Sequence, residues 1–208
     1  WDEDDDVEES CVLLSDGRPT AGLRSPREII ARTAAIDKGS RPIFVFASGG
    51  RIDRFMVDFL AFANRGWAEY AGQPEMDTEL SNFYDKIKDP VLLAPRYRFS
   101  GVSTDEVYPK VLTDFFRGVS FTIVGRYEQD TDFSMQIVGE GADNKLEFVF
   151  ADSFKNAREG TRDIARQWAY NKIYYLIGQT IERGNDPATV SQIADLQRKF
   201  DITTPYRQ

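Results

Sequence analysis

VLLSDGRPT, residues 12–20, predicts a buried strand that ends at an Asp-Gly turn. The apolar residues of Cys11–Leu14 follow one another without polar alternation, which is typical of a strand covered on both faces in a parallel sheet. Ser15, Asp16 and Gly17 come directly after the carboxyl end of this strand, where ligands bind in open α/β sheets. Asp16 is therefore either a functional carboxylate or a turn residue, and the local sequence favours the turn residue.

The next element along the chain is a predicted helix over residues 25–39. Ser25 is in the position of an N-cap, Pro26 is favoured at the first helical position, and Gly39 marks the end. The residues predicted to share its buried face are Ile29, Thr33 and Ile36. A helix directly after a strand is the first half of a βαβ unit.

The alternation of strand and helix then continues. Residues 41–50 predict a second continuous apolar strand, Asp53 can cap the helix that follows, and residues 67–71 predict a short third strand. A chain that runs strand, helix, strand, helix, strand has the pattern of a doubly wound α/β fold.

The pattern changes after Gly72. One more helix is predicted over residues 76–89, and it is followed by predicted antiparallel strands at 91–102, 119–129 and 134–150. The last of these is a hairpin around EGADNK, whose turn residues are Gly141, Asp143 and Asn144.

Two predicted helices close the chain, at residues 161–184 and 186–200. Asp186 is the predicted cap of the second helix, and Trp168 is a predicted core anchor on the apolar face of the first. The residues predicted to share that face with Trp168 are Ala165, Ala169, Ile173, Leu176 and Ile177.

Composition excludes several classes of function. The chain has 208 residues, a net charge of −8 and a pI near 4.7, which argues against binding to nucleic acid or to an anionic membrane and makes cations the more natural small partners. It contains no histidine, which removes histidine-based triads, bases and metal sites from consideration. No apolar stretch approaches the roughly 20 residues of a membrane span.

Two features near the start of the chain favour simple interpretations. Cys11 is the single cysteine, and its apolar neighbours predict an inert buried thiol. The acidic run WDEDDDVEES has Asp2, Asp4 and Asp6 at the alternate spacing of a calcium loop, but it lacks that loop's glycine and closing glutamate. A solvated loop is therefore the favoured interpretation of the run.

Several stretches of the sequence together resemble one protein family. The resemblance is to VIT and von Willebrand factor A domain proteins related to inter-alpha-trypsin inhibitor heavy chains, and it covers most of the chain from about Cys11 onward. Each stretch alone is weakly specific, whereas the ordered set is fairly specific. The matching stretches are VLLSDGRPT, RPIFVFASGGRIDRFMVDFLAFANRGWAEY, FYDKIKDPVLL, DEVYPKVLTDFFRGVSFTIVGRY and ARQWAYNKIYYL.

The resemblance implies an α/β fold class: the carboxy half of a doubly wound von Willebrand A-like domain, followed by an antiparallel β segment and two C-terminal helices. It implies three regions: residues 1–89 of the A-like domain, a β-sandwich segment over 90–160 and a helical segment over 161–208. If the strand order is the doubly wound 3-2-1-4-5-6, the chain supplies strands four to six only. The Cys11–Leu14 strand would then lack its central partner, so we expect a fragment or a processed chain.

The family also implies a metal-ion-dependent adhesion site at the carboxyl edge of the sheet. Asp16 in LLSDG resembles the third aspartate of that site, and Ser15 stands where the family commonly has threonine. The D-x-S-x-S loop that supplies other ligands does not occur in this chain. Mg²⁺, or Mn²⁺ or Ca²⁺, is therefore expected only if the missing part of the A-domain, or another chain, completes the site.

Three functions remain open on the sequence. The leading one, implied by the family, is a non-enzymatic protein-interaction or adhesion module of a larger VIT and von Willebrand A protein, located outside the cell, at its surface or in the periplasm. The second is a metal-independent assembly role, in which the sheet edge and the acidic surface dock neighbouring subunits. An acid/base hydrolase that uses Asp16 is weaker, because nothing in the sequence pairs a second carboxylate with it.

Overall fold

A computed structural model of the protein describes residues 9–206, apart from Gly39 and Asp143. The acidic run with Asp2, Asp4 and Asp6, and the predicted roles of Gly39 and Asp143, lie outside the described residues. The chain divides into two compact units, Trp1–Asp85 and Lys86–Gln208. The predicted division into three regions stays a prediction.

The first unit alternates strictly between strands and helices. In chain order its elements are β1 (Cys11–Leu14), α1 (Pro26–Asp37), β2 (Ile43–Ser48), α2 (Arg54–Ala63), β3 (Ala68–Ala71) and α3 (Met76–Ile87), which ends just past the unit boundary. The strands form one parallel sheet in the order β1-β2-β3. The alternating, parallel arrangement predicted from the sequence is confirmed.

The core of this unit lies around β2. Phe44, Val45 and Phe46 in β2 are buried, and Phe44 packs edge-on against Trp67 with ring centroids 4.6 Å apart. Phe83 of α3 contacts the rings of both Phe44 and Phe46. An apolar strand paired on both sides and packed against aromatic rings is the central strand of this sheet.

The prediction that β1 is covered on both faces is wrong. Leu14 is 59% exposed, Val12 is exposed, and Cys11 is an exposed free thiol rather than a buried one. The reason is position: among the described residues β1 pairs with β2 alone, so it is an edge strand. The apolar run did indicate a strand suited to burial, but the described part of the chain does not cover it.

Helix α1 begins as predicted and buries a different residue. The hydroxyl of Ser25 accepts a hydrogen bond from the Glu28 amide at 3.4 Å, which is an N-cap contact. Ile30 is fully buried, whereas Ile36, predicted on the buried face, is exposed. The predicted face is off by one residue because α1 packs against α2, as the contacts between these two helices show.

The second unit contains an antiparallel sheet and two helices. Its elements are β4 (Pro90–Ser100), β5 (Phe115–Phe116), β6 (Asp132–Glu140), β7 (Lys145–Ser153), α4 (Arg162–Arg183) and α5 (Pro187–Phe200). The sheet order is β5-β4-β6-β7, and all pairs are antiparallel. The predicted hairpin is confirmed: at its tip the Gly141 amide donates to the Asn144 carbonyl at 2.8 Å.

The prediction of a strand over residues 119–129 is wrong. That segment makes one isolated bridge, between Tyr108 and Val124, and the fourth strand of the sheet is instead the two-residue β5. The apolar residues of the segment serve another purpose: Phe121 stacks on Phe115 with ring centroids 4.0 Å apart, and Val124 is buried against Trp168 and Ala169. Side-chain packing thus orders the segment without a strand ladder.

Trp168 is a core residue, as predicted. It is buried with Tyr108, Val124 and Ala169, and its indole NH donates to the Glu106 carbonyl at 2.9 Å. Lys172, one turn further along α4, is buried and donates to both carboxylate oxygens of Glu106 at 2.7 and 2.8 Å. The predicted apolar face of α4 is confirmed except at Ala165, which is exposed.

Candidate functional site

The turn after β1 is built from hydrogen bonds within its own residues. The Ser15 hydroxyl accepts from the Gly17 amide at 3.0 Å, and Asp16 Oδ1 accepts from the Arg18 amide at 3.0 Å. The Ser15 amide donates to the Phe46 carbonyl of β2 at 3.2 Å and so extends the strand pairing by one residue. These are the local contacts by which serine and aspartate favour turns.

Gly17 fixes the turn against the start of α2. Its φ is +72°, and a Cβ at this position would lie 2.8 Å from the Asp53 carbonyl oxygen and 2.9 Å from Val57 Cγ2. The Asp53 amide donates to the Asp16 carbonyl at 2.8 Å. Glycine is therefore required both for backbone conformation and for close approach, and the turn has one defined position over α2.

The end of β2 lies beside this turn. A Cβ built on Gly49, the residue after β2, would lie 3.6 Å from the Cβ of Asp16. The side chain of Asp16 therefore lies next to the main chain of Gly49. The Ser48 hydroxyl oxygen is buried and has no hydrogen-bond partner among the described residues. Sequence reasoning missed Ser48, although its place at the end of the strand next to β1 was a usable signal.

Two aspartates, Asp16 and Asp53, lie at this edge among the described residues. Asp16 is partly buried, and its second oxygen, Oδ2, makes no hydrogen bond within the part of the chain that the structure describes. Asp53 is the N-cap of α2, and its Oδ1 accepts a hydrogen bond from the Met56 amide at 3.0 Å. Asp16 and Asp53 are thus close through their main chains, and each carboxylate accepts one amide hydrogen bond through Oδ1.

These residues do not amount to a complete metal site. Over the described residues, no group of three or more histidine, cysteine, aspartate or glutamate side chains is placed to hold a metal ion. A hard cation needs several oxygen ligands, and Asp16 with the Ser48 hydroxyl could provide only part of a shell. The donor types fit Mg²⁺, whereas the number of donors does not.

Glycines also follow β2, but they do not form a phosphate site of the kind that the sequence could suggest. The stretch FASGGRID lacks the G-x-G-x-x-G pattern and the Walker lysine. Gly49 has a φ of +139°, which glycine adopts readily, and it links β2 to the segment that enters α2. The stretch is a strand-to-helix turn between β2 and α2.

The chain is similar in sequence to one group of characterised proteins, the inter-alpha-trypsin inhibitor heavy chains. No protein-family model matches the chain. Inter-alpha-trypsin inhibitor heavy chain H4 of Bos taurus is 22% identical over 207 residues, and heavy chain H4 of Homo sapiens is 23% identical over 213. The match to each covers 93% of this chain. The resemblance to inter-alpha-trypsin inhibitor heavy chains is confirmed. Heavy chain H6 of Homo sapiens is likewise 23% identical over 93% of this chain.

The matched region is a small part of those relatives. This chain spans 23% of the bovine H4 protein, 22% of the human H4 protein and 16% of human H6. What the complete heavy chains bind or do therefore enters here only as a proposal.

A solved structure supports the fold. The von Willebrand factor type A protein from Catenulispora acidiphila superposes with a TM-score of 0.51 at 12% identity, and the match covers 94% of this chain and 56% of that one. The mixed α/β fold class, a parallel A-like part followed by antiparallel strands and two helices, is confirmed. Within the described residues, no helix has both the length and the apolar character needed to cross a membrane.

Proposed function

We propose that the protein is a non-enzymatic protein-interaction module of a larger extracellular polypeptide, and that Asp16 is one ligand of a divalent-cation adhesion site. The observation that carries this proposal is the position of Asp16: it follows β1 at the carboxyl edge of the parallel sheet, its Oδ2 makes no hydrogen bond among the described residues, and Gly49, the residue after β2, lies beside it. The remaining ligands would come from residues outside this chain. The ion is Mg²⁺, with Mn²⁺ or Ca²⁺ as alternatives.

The chemistry of such a site explains how it would recognise a protein. Asp16 would bind the ion directly or through a water molecule, while Gly17 and Asp53 hold the turn in place. A carboxylate of the partner protein would occupy the open coordination position. Binding would then depend on the cation, because without it the two negatively charged carboxylates repel each other.

The same geometry makes an acid/base hydrolase unattractive. Acid/base hydrolysis by paired carboxylates needs a second carboxyl group that moves protons near Asp16, whereas the carboxylate of Asp53 serves as the N-cap of α2. The chain contains no histidine that could replace it. The turn therefore suits ligand binding better than proton transfer.

The proposal is tested by charge-matched variants in the longer polypeptide that contains this chain. Asp16→Asn and Asp77→Asn each remove one negative charge from the first unit, but Asp77 is an exposed residue in the first turn of α3. We expect Asp16→Asn to weaken Mg²⁺ binding by at least about tenfold in titration calorimetry, since a carboxylate of the site is lost.

Asp77→Asn is the control and should bind Mg²⁺ with the affinity of the unmodified protein. Equal affinities for all three proteins would reduce Asp16 to a turn residue. Loss of affinity in both variants would indicate a general charge effect instead of a site.

A second function, metal-independent assembly through β1, is favoured by a specific observation. The strand is a sheet edge with Leu14 59% exposed and Val12 exposed, and such edges pair with strands of other chains. Cys11 lies on the same strand and is an exposed thiol, so it reports on coverage of the edge. Docking of a neighbouring subunit would protect Cys11 from alkylation.

The two functions respond differently to chelation. If β1 docks a neighbour, the alkylation rate of Cys11 falls as the protein concentration rises, even in EDTA, and Leu14→Lys restores the fast rate. A rate that is independent of concentration would exclude assembly through β1.

A further inference from the structure

The second unit has its own exposed edge, at β7. This strand is nine residues long, and among the described residues it pairs with β6 alone. Its central residues Phe148, Val149 and Phe150 are 44%, 62% and 53% exposed. A long edge strand with large apolar side chains in its centre is a template for pairing with another strand.

One face of the sheet is apolar and extends to this edge. Phe148 lies opposite Ile137 of β6, and Phe150 lies opposite Met135. Ile137 is 2% exposed, so the apolar face is covered at β6 but not at β7. The next strand that pairs with β7 would extend this face and shield both phenylalanine rings.

The other face is polar and is tied together across three strands. Arg98 of β4 donates from Nε to the Gln136 side-chain oxygen at 3.1 Å, and the Gln136 amide donates to Glu147 of β7 at 2.6 Å. This ladder places Glu147 on the face of Arg98 and Gln136, opposite to the face of Phe148 and Phe150. A strand that joins the edge must therefore present apolar side chains on the Phe148 side.

We propose that β7 pairs antiparallel with β7 of a second copy of this chain, with Val149 opposite Val149 on the twofold axis. This register places Phe148 of each copy opposite Phe150 of the other, on the same apolar face. Two aromatic cross-strand pairs therefore form, which is a favourable type of pair in antiparallel sheets.

The charges of the strand are compatible with this register. Glu147 lies opposite Ala151 of the second copy, and Lys145 lies opposite Ser153, so no like charges face each other. A slip of one residue would place the phenylalanines of one copy on the polar face of the other. The sequence of β7 is therefore compatible with a second copy of itself in this register.

The net charge of each copy determines how salt affects the proposed dimer. Each chain has a net charge of −8, so two copies repel one another. The pairing itself consists of main-chain hydrogen bonds and apolar contacts, which salt does not weaken in the way that it weakens ion pairs. We therefore expect the dimer to become tighter as salt concentration rises.

The register is tested by cysteine cross-linking in the 208-residue chain with Cys11→Ser. Residues directly opposite in an antiparallel pair have Cα atoms about 4.5 to 5.5 Å apart, within disulfide range. Val149→Cys should therefore form a dimer under mild oxidation by oxidised glutathione. Ala151→Cys is the control: its counterpart in the second copy is four residues away along the strand, about 13 Å, and cannot form the bond.

The outcomes are decisive for the register. Cross-linking of Val149→Cys at least about tenfold faster than Ala151→Cys supports it. Equal rates at the two positions, or no cross-linking at either, would overturn it. Neither result depends on a cation or on Asp16, so the outcome is separate from the fate of the proposed adhesion site.

The second measurement is the monomer–dimer equilibrium by sedimentation, in the Cys11→Ser protein without an added cysteine. Val149→Lys places two lysines opposite each other and should weaken the dimer by about tenfold or more. Leu14→Lys makes the same kind of change in the edge strand β1 and should leave the β7 dimer intact. A chain that is monomeric at high salt, or a dimer that Leu14→Lys disrupts and Val149→Lys does not, would contradict the proposal.

Discussion

At the scale of single residues, Trp168 illustrates how one side chain joins several parts of the second unit. Its ring is buried against Tyr108 and Val124, its NH is satisfied by the Glu106 carbonyl, and Phe200 of α5 packs on it with ring centroids 6.1 Å apart. A buried indole with its donor satisfied combines apolar burial with a specific hydrogen bond. The segment around residue 106, α4 and α5 are therefore held together at this residue.

Replacement of Trp168 is expected to be costly. Trp168→Ala should lower the free energy of unfolding by about 3 kcal/mol or more, because it leaves a cavity and an unpaired carbonyl. The measurement is urea denaturation, with Ile164→Ala as the control on the exposed side of the same helix. The control should change stability by less than about 1 kcal/mol, as surface substitutions usually do. A loss of that small size for Trp168→Ala would contradict its core role.

At the scale of elements, the helix starts were the features best predicted from the sequence. Ser25, Asp53 and Asp186 were predicted as caps, and each accepts a hydrogen bond from the amide three residues further on. Capping depends on local sequence alone, so a single chain contains all the information. Strand identity in the parallel sheet was predictable for the same reason, since the apolar runs are short and clearly bounded.

What the sequence could not predict depended on contacts between elements. The exposure of β1 follows from its place at the sheet edge, and Ile30 is buried in place of Ile36 because of how α1 packs on α2. Residues 119–129 alternate like a strand, but the rings of Phe115 and Phe121 and the burial of Val124 order them differently. At the candidate site, the turn that contains Asp16 was predictable from the local sequence, whereas the place of Ser48 at the end of the neighbouring strand follows only from the pairing of β1 with β2.

The cap of α5 leads to a prediction on pH. Hydrogen bonds from the amide and hydroxyl of Thr189, both 2.9 Å, lower the pKa of Asp186 below its ordinary value of 3.8. A lowered folded-state pKa means that the stabilisation is present above pH 3.8 and is lost as the pH falls through the folded-state pKa. We therefore measure the free energy of unfolding of the original protein and of Asp186→Asn at pH 7 and at pH 3. The difference between the two proteins should be smaller at pH 3.

Asp186→Ala is the matched variant for that measurement. Asparagine is still a good cap, whereas alanine is not, so Asp186→Ala should be less stable than Asp186→Asn at both pH values. If the original protein and Asp186→Asn keep the same difference in stability at pH 7 and pH 3, the hydrogen bonds to Thr189 do not favour the ionised carboxylate.

At the scale of the whole molecule, the chain has two compact units, each with an exposed sheet edge. In the first unit the edge strand β1 leads into the turn with Asp16, and in the second β7 is an edge strand, with β5 at the opposite edge of the described sheet. The similarity to heavy chains extends over 93% of the chain and so includes both units. These features suit a molecule that binds other protein surfaces, with a different proposed partner at each of these two edges.

The assignment of Asp16 to a cation site requires that most of the other ligands lie outside this chain. Titration calorimetry of Mg²⁺ into the 208-residue chain and, in the same buffer, into the longer polypeptide that contains it tests this claim most directly. One carboxylate and a hydroxyl are too few oxygens for a hard cation. We predict saturable binding by the longer polypeptide and an affinity at least about tenfold weaker, or no binding, for the 208-residue chain. Equal Mg²⁺ affinities, or no binding by the longer polypeptide, would contradict the account.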